Sequence, residues 1–270
     1  MTDFYLKKFY QDVKDESWSD ISTYNDILDL PLTTQTELNS VHGLDQRLSD
    51  IESIDYWRRT SRHTSTGYKK NNVVFVPVLK CGSTYYRQLF LDQFHGWEVV
   101  NLYDQDWDEV KVFGCIMHPL TRRLKGITEL LFKAYQCDSN RAINDINTNA
   151  GFRDFISRVS VCEDHTMPYT TMFGDLLEKI NWIPAELGKA KVISYINDFL
   201  AANGVTDQVT ELLTVHASSV GQLKLYNLVV KLYLENQDDE FPGIKLFADD
   251  LKFYHQLVRK YNLLETNSND

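Results

Sequence analysis

Residues 73–90, VVFVPVLKCGSTYYRQLF, restrict the fold more than any other stretch of the chain. A short valine-rich run leads into Lys80-Cys81-Gly82-Ser83-Thr84, after which Tyr86, Leu89 and Phe90 recur at spacings that put them on one face of a helix. A continuous apolar run of this kind suits a strand buried on both faces, as in a parallel sheet. Where such a strand turns through a glycine-containing loop into a helix, loop N–H groups and the positive end of the helix dipole converge on one phosphate or sulfate. Lys80 adds a full positive charge where that negative charge would sit. The triphosphatase loop pattern G-x-x-x-x-G-K-[ST] occurs nowhere in the chain, which argues against a small-molecule kinase.

The downstream pattern predicts an α/β fold, a central parallel sheet with helices on both faces. Residues 97–102 (WEVVNL) read as a second strand after Gly96, and residues 112–117 (VFGCIM) as a third that ends at His118-Pro119. Leu120, Leu124, Ile127, Leu130 and Leu131 predict a long helix. Further on, the spacing predicts a helix over 152–159, a strand over 179–183, a helix over 192–200 stopped by Gly204, and two closing helices, the second over 244–261. Residues 60–72 and 138–150 are polar and read as loops, the latter as a mobile surface loop. The chain then divides into an N-terminal extension packed on the core (1–70), one α/β domain (71–262) and a polar tail (263–270). Within the extension, Phe4, Leu6, Phe9 and Tyr10 share one helical face, and Leu44, Leu48, Ile51 and Ile54 another.

Composition narrows the function classes. With 43% hydrophobic and 13% aromatic residues in a chain of 270, there is ample material for a large core. A net charge of −10 argues against a nucleic-acid partner. Residues 71–133, which include the candidate anion loop, carry equal numbers of acidic and basic groups and so form the neutral part of an acidic protein. Cys81, Cys115, Cys137 and Cys162 form no C-x-x-C pair and read as reduced thiols. The first residues are too charged for a signal peptide, and no apolar run approaches a membrane span. The expectation is a soluble, cytoplasmic protein. The acidic cluster Asp104, Asp106, Asp108 and Glu109 reads as a solvated loop.

The loop at residues 80–84 resembles the 5′-phosphosulfate loop of the sulfotransferases, which reads roughly K-[TAC]-G-[ST]-[ST]. Further similarity follows in that family's order. Residues 117–126, MHPLTRRLKG, are similar to the family's R-x-P-x-x-R-x-x-S-G, with Pro119, Arg122 and Gly126 matching, Met117 in place of the first arginine and Lys125 in place of the serine. His165 and Pro168 resemble the H-x-x-P-Q element of carbohydrate sulfotransferases, with Tyr169 replacing glutamine. Residues 180–187 (INWIPAEL) resemble the next segment, a strand followed by a glutamate, here Glu186. His216-Ala217-Ser218-Ser219 is near their H-x-N-S loop, and residues 244–253 resemble the terminal helix. The similarity spans about residues 73–255 and leaves 1–70 untouched.

What the resemblance implies is the sulfotransferase version of the P-loop α/β fold and sulfuryl transfer from 3′-phosphoadenosine 5′-phosphosulfate to a hydroxyl or amine, with a carbohydrate as the expected acceptor. Lys80 would neutralise charge on the leaving oxygen. The N–H groups of residues 81–84 (Cys81, Gly82, Ser83, Thr84) and the hydroxyls of Ser83 and Thr84 would hold the 5′-phosphate. Arg122 and Lys125 would take the 3′-phosphate, and no metal is implied. The general base is expected to be His165, with His95 as the rival candidate and Asp104 and Asp106 behind them. The alternative is a catalytically silent module of the same fold that binds a phosphorylated nucleotide or another anion.

Overall fold

The computed structural model describes residues 58–59, 61–157, 165–212, 220–236 and 248–261. The two helical faces expected before residue 57, the serine-rich loop at 216–219 and the polar tail lie outside the described residues.

Five strands form one mixed sheet in the order β3-β1-β2-β4-β5. They are β1 (Thr66–Lys70), β2 (Val73–Val76), β3 (Glu98–Asn101), β4 (Lys111–Ile116) and β5 (Asn181–Pro184). The parallel part is β2-β4-β5, with Val74 opposite Val112 and Cys115 opposite Ile183. The wholly parallel sheet read from the sequence therefore needs correction. β1 pairs antiparallel with both β2 and β3, and it occupies residues expected to form a loop. Asn71 makes this possible: it takes a left-handed conformation at φ 55° in the two-residue turn between Lys70 and Val73, which is how tight hairpins are closed. The sheet accordingly begins before residue 71, inside what the sequence suggested was an extension.

Among the described residues there are eight α-helices. The first, α1 (Ser83–Arg87), runs directly into a π-helical stretch, Gln88–Gln93. The others are α2 (Pro119–Ala134), α3 (Ser139–Ile146), α4 (Asn149–Ser157), α5 (Tyr169–Phe173), α6 (Lys189–Ala202), α7 (Val220–Glu235) and α8 (Ala248–Lys260). Residues 138–150 are thus mostly helical rather than a loop. Asp138 caps α3 by accepting the N–H groups of Asn140 and Arg141 at 3.0 and 3.1 Å, and Ala142 and Ile146, four residues apart, are its buried stripe.

The chain divides into two compact units. The described residues of the unit containing the sheet are 58–59, 61–126 and 165–212. Its core is aromatic. Phe75 and Phe113 are register partners and so project from one face. Tyr86 and Phe90, on the helical run after β2, lie 4.7 and 4.6 Å from the Phe75 ring, and Phe199 of α6 lies 4.6 Å from Phe113. Full burial of each such ring contributes roughly 1.5–3 kcal/mol. On the opposite face Val76, Gly114 and Trp182 are in register, and Trp182 packs 5.2 Å from Phe173. A Cβ on Gly114 would stand 2.6 Å from the indole, so the glycine is what lets that ring cross the sheet. The described residues of the other unit are 127–157, 220–236 and 248–261. In it α7 packs on α3 and α4, and Arg153 donates to the Asn236 amide oxygen at 2.8 Å.

Candidate functional site

The three parallel strands end side by side, and the segments that leave them are those the sequence singled out. β2 leads into residues 77–82 and α1, β4 into Met117, His118 and α2, and β5 into the short turn carrying Glu186. The carboxyl edge of parallel strands is where open α/β sheets bind ligands.

In the loop after β2 both Lys80 (φ 68°) and Gly82 (φ 89°) are left-handed. The Cys81 N–H donates to Val78 O at 3.1 Å and the Tyr86 N–H to Gly82 O at 3.0 Å. Gly82 sits at the N-cap of α1, and no side chain caps that helix end. The first-turn N–H groups of a helix have no intrahelical acceptor, so an anion would complete them. Gly82 and Thr84 are exposed, and Lys80 and Ser83 are half-buried. The strain at Lys80 has a direction: a lysine in the left-handed region costs on the order of 1–2 kcal/mol that a glycine would not.

Cys81 turns inward. It is 6% exposed, and its sulfur lies 3.4 Å from the Tyr169 hydroxyl. That hydroxyl donates to Met117 O at 2.9 Å and accepts the Met117 N–H at 3.3 Å. Burial pushes the Cys81 thiol up, against the lowering influence of the Arg122 guanidinium, so it is protonated rather than a reactive thiolate. Burial likewise holds Tyr169 well above the usual phenol range. Behind these, the Tyr86 hydroxyl donates to the Cys115 sulfur at 3.2 Å, and burial pushes the Cys115 thiol up to about 12.

Arg122, expected to take the 3′-phosphate, turns into the protein interior. It is 1% exposed. Its Nε donates to Leu79 O at 3.1 Å, one Nη to Met167 O and the other to the Met172 sulfur at 3.0 Å, and the guanidinium lies 5.0 Å from the Tyr169 ring centroid. Arg123 is also buried and donates to Thr166 O at 3.1 Å. Lys125, one turn along α2 from Arg122, remains half-exposed. His118, at the head of α2, gives its backbone N–H to Glu186 Oε1 at 2.7 Å, which ties the ends of β4 and β5 together.

The two candidate bases separate. His165 begins the segment that lies along α2, its carbonyl against Gly126. His95 lies at the other end of the sheet: its carbonyl accepts from Lys70 Nζ at 2.8 Å, and Lys70 pairs with Val73, the first residue of β2. Lys80 lies beyond Val76, the last residue of that strand. Asp104 and Asp106 are exposed, in the stretch between β3 and β4. Among the described residues no group of three or more His, Cys, Asp or Glu side chains is gathered as for a metal ion. No described helix is long and apolar enough to cross a membrane.

Gly126 fixes the seating of the 165–167 segment. A Cβ there would stand 2.1 Å from His165 O and 2.7 Å from its carbonyl carbon, both backbone atoms. Gly126→Ala is expected to destabilise the fold by about 2 kcal/mol, because backbone displacement outweighs the helix preference of alanine, about 1 kcal/mol. Urea unfolding of the two proteins measures this, and an unchanged midpoint contradicts the close approach. Comparison with protein-family models, with curated proteins and with solved structures gives no match to this chain.

Proposed function

We propose that this protein transfers a sulfuryl group from 3′-phosphoadenosine 5′-phosphosulfate to a hydroxyl or amine acceptor, with a carbohydrate as the expected substrate class. The observation that carries the reading is the bond from Arg122 to Leu79 O. It sets the two segments with anion-site character, residues 80–84 and 117–126, side by side at the carboxyl ends of adjacent parallel strands. Either motif alone is a common accident; their juxtaposition supports one site.

In this reading the N–H groups of residues 81–84 and the hydroxyls of Ser83 and Thr84 hold the 5′-phosphate. The acceptor oxygen forms a bond to sulfur as the bond from sulfur to the bridging phosphate oxygen breaks. Its proton passes to a base, and adenosine 3′,5′-bisphosphate leaves. By analogy with phosphoryl transfer the transition state is loose, so positioning and charge stabilisation dominate. The Lys80 ammonium meets the charge that develops on the leaving oxygen. Lys125 takes the 3′-phosphate as a point charge, with Arg122 bound behind it to Leu79 and Met167. His165 is the preferred base, since His95 sits at the far end of β2.

The inward course of the Arg122 guanidinium also favours a second reading, a module that binds a phosphorylated ligand without turnover. Calorimetric titration with adenosine 3′,5′-bisphosphate, with and without magnesium, tests both. The expected result is metal-independent binding at least about tenfold tighter than that of adenosine 5′-monophosphate, the worth of one charge-assisted contact. Equal affinity for the two nucleotides overturns the 3′-phosphate assignment, and a magnesium requirement points to a kinase-like site. Binding without transfer to any acceptor leaves the silent module.

A further inference from the structure

We propose that Tyr169 is a positioning residue that holds the anion loop in its binding shape, acting on the ligand only through Cys81 and Met117. The inference rests on the anion-site reading of residues 80–84. A tyrosine hydroxyl has one proton to give and two lone pairs to receive, and here all three are in use. The proton goes to Met117 O at 2.9 Å, one lone pair takes the Met117 N–H at 3.3 Å, and the Cys81 sulfur lies 3.4 Å away. One fully buried oxygen thus joins the loop after β2 to the end of β4.

The ring is as constrained as the hydroxyl. Tyr169 is 0% exposed and opens α5 directly after Pro168. Its face carries the Arg122 guanidinium, which reaches over to Leu79 O, the residue before Lys80, and back to Met167 O. Lys80 and Gly82 both hold left-handed conformations on either side of Cys81. A loop that holds a lysine in this region needs outside restraint to keep one geometry. The Cys81 sulfur on Tyr169 and the Leu79 carbonyl on Arg122 are two points at which the rest of the protein supplies it. Site donors held before the ligand arrives bind it without an ordering cost.

The test is Tyr169→Phe in the full chain, which keeps the ring and removes one oxygen. The first readout is alkylation of each cysteine by iodoacetamide under native conditions, located by peptide mass spectrometry. Cys137 is exposed and Cys115 buried, so they report reagent reactivity and general opening. Cys81 is expected to label about tenfold faster in the variant while Cys115 and Cys137 keep their wild-type rates. The second readout is affinity for adenosine 3′,5′-bisphosphate, expected to fall roughly fivefold to tenfold, as for the loss of one buried hydrogen bond. Unchanged Cys81 labelling overturns the proposal, as does faster labelling with unchanged affinity. Equal acceleration at Cys115 overturns it too, since the tyrosine would then support the whole core. If wild-type protein shows no affinity for the nucleotide, the sulfuryl-transfer reading fails, and Cys81 labelling alone decides whether Tyr169 holds the loop.

Discussion

Under the proposed function, Lys80→Gly is expected to lower sulfuryl transfer by about 10²- to 10³-fold while the folded protein becomes slightly more stable. The two effects come from different parts of one residue. In the proposed reaction the ammonium meets charge developing on the leaving oxygen, and removing one preorganised donor of that kind commonly costs about 3–4 kcal/mol of transition-state stabilisation. The backbone, at φ 68°, is in a region that glycine enters freely and lysine does not. Relief of about 1 kcal/mol would raise the melting temperature by roughly 2–4 °C in a chain of this size. Lys80→Ala is the partner experiment, because it removes the charge and keeps the strain. Both variants should therefore be inactive, with the glycine form melting higher than the alanine form. Near-wild-type turnover by either removes Lys80 from the site, whereas equal melting temperatures would remove the strain argument and leave the charge argument standing.

The opposition between stability and charge at Lys80 was half legible in the sequence. A lysine before Cys-Gly-Ser-Thr, after a valine run, marks a strand, a loop and a helix start because every part of that pattern is local: apolar residues, a glycine, hydroxyls, a helical period. The same holds for β2, β4, β5 and most of the helices, whose signals are runs or 3.6-residue periods within a single window. β1 was not legible for the converse reason. Only Gly67 and Tyr68 of its five residues are buried, and its hydrogen bonds are supplied by β2 on one side and β3 on the other. A polar strand held by two partners has no local signature of its own. The helix after Asp138 was hidden similarly, since a stripe of only Ala142 and Ile146 is narrow enough to pass for a polar loop.

At the site the same distinction decides what could be read. Arg122 stands in a segment of three basic residues, and local reasoning sends such groups to solvent or to a phosphate. Its burial is created by residues 166–172, which lie more than forty positions along the chain and close over the start of α2. Tyr169 was visible only as a departure from the glutamine of a resembled motif. What it does depends on Cys81 and Met117, neither of which is near it in sequence. Gly126 was the exception: it matched the resembled pattern, and the packing gives a physical reason for it, the carbonyl of His165 where a Cβ would be.

His118, next to Met117 at the end of β4, sets a large expected dependence of stability on pH. Its residue is 4% exposed, and burial pulls the imidazole down from the ordinary 6.5 to about 3. In the unfolded chain it titrates near 6.5. Between these values the unfolded state carries the extra proton, so stability rises with pH across the window and is lost as pH falls from about 6.5 toward 3. Above 6.5 both states are neutral at this residue, and it contributes no slope. The full shift corresponds to roughly 4–5 kcal/mol at the acid limit, a large share of the net stability of a typical domain. His255 in α8 moves in the same direction through burial and the nearby Arg259, and protonation of carboxylates adds to any acid transition, so the wild-type curve alone does not isolate His118. The difference between wild type and His118→Gln does, since glutamine carries no titrating proton. Urea midpoints measured from pH 7.5 to pH 4 should fall more steeply for the wild type than for the variant. The two curves should run parallel above about pH 6.5 and approach one another below it. Curves that stay parallel down to pH 4 would show that His118 takes up a proton in the folded protein as easily as in the unfolded chain, and would place its ring in contact with water at the mouth of the site.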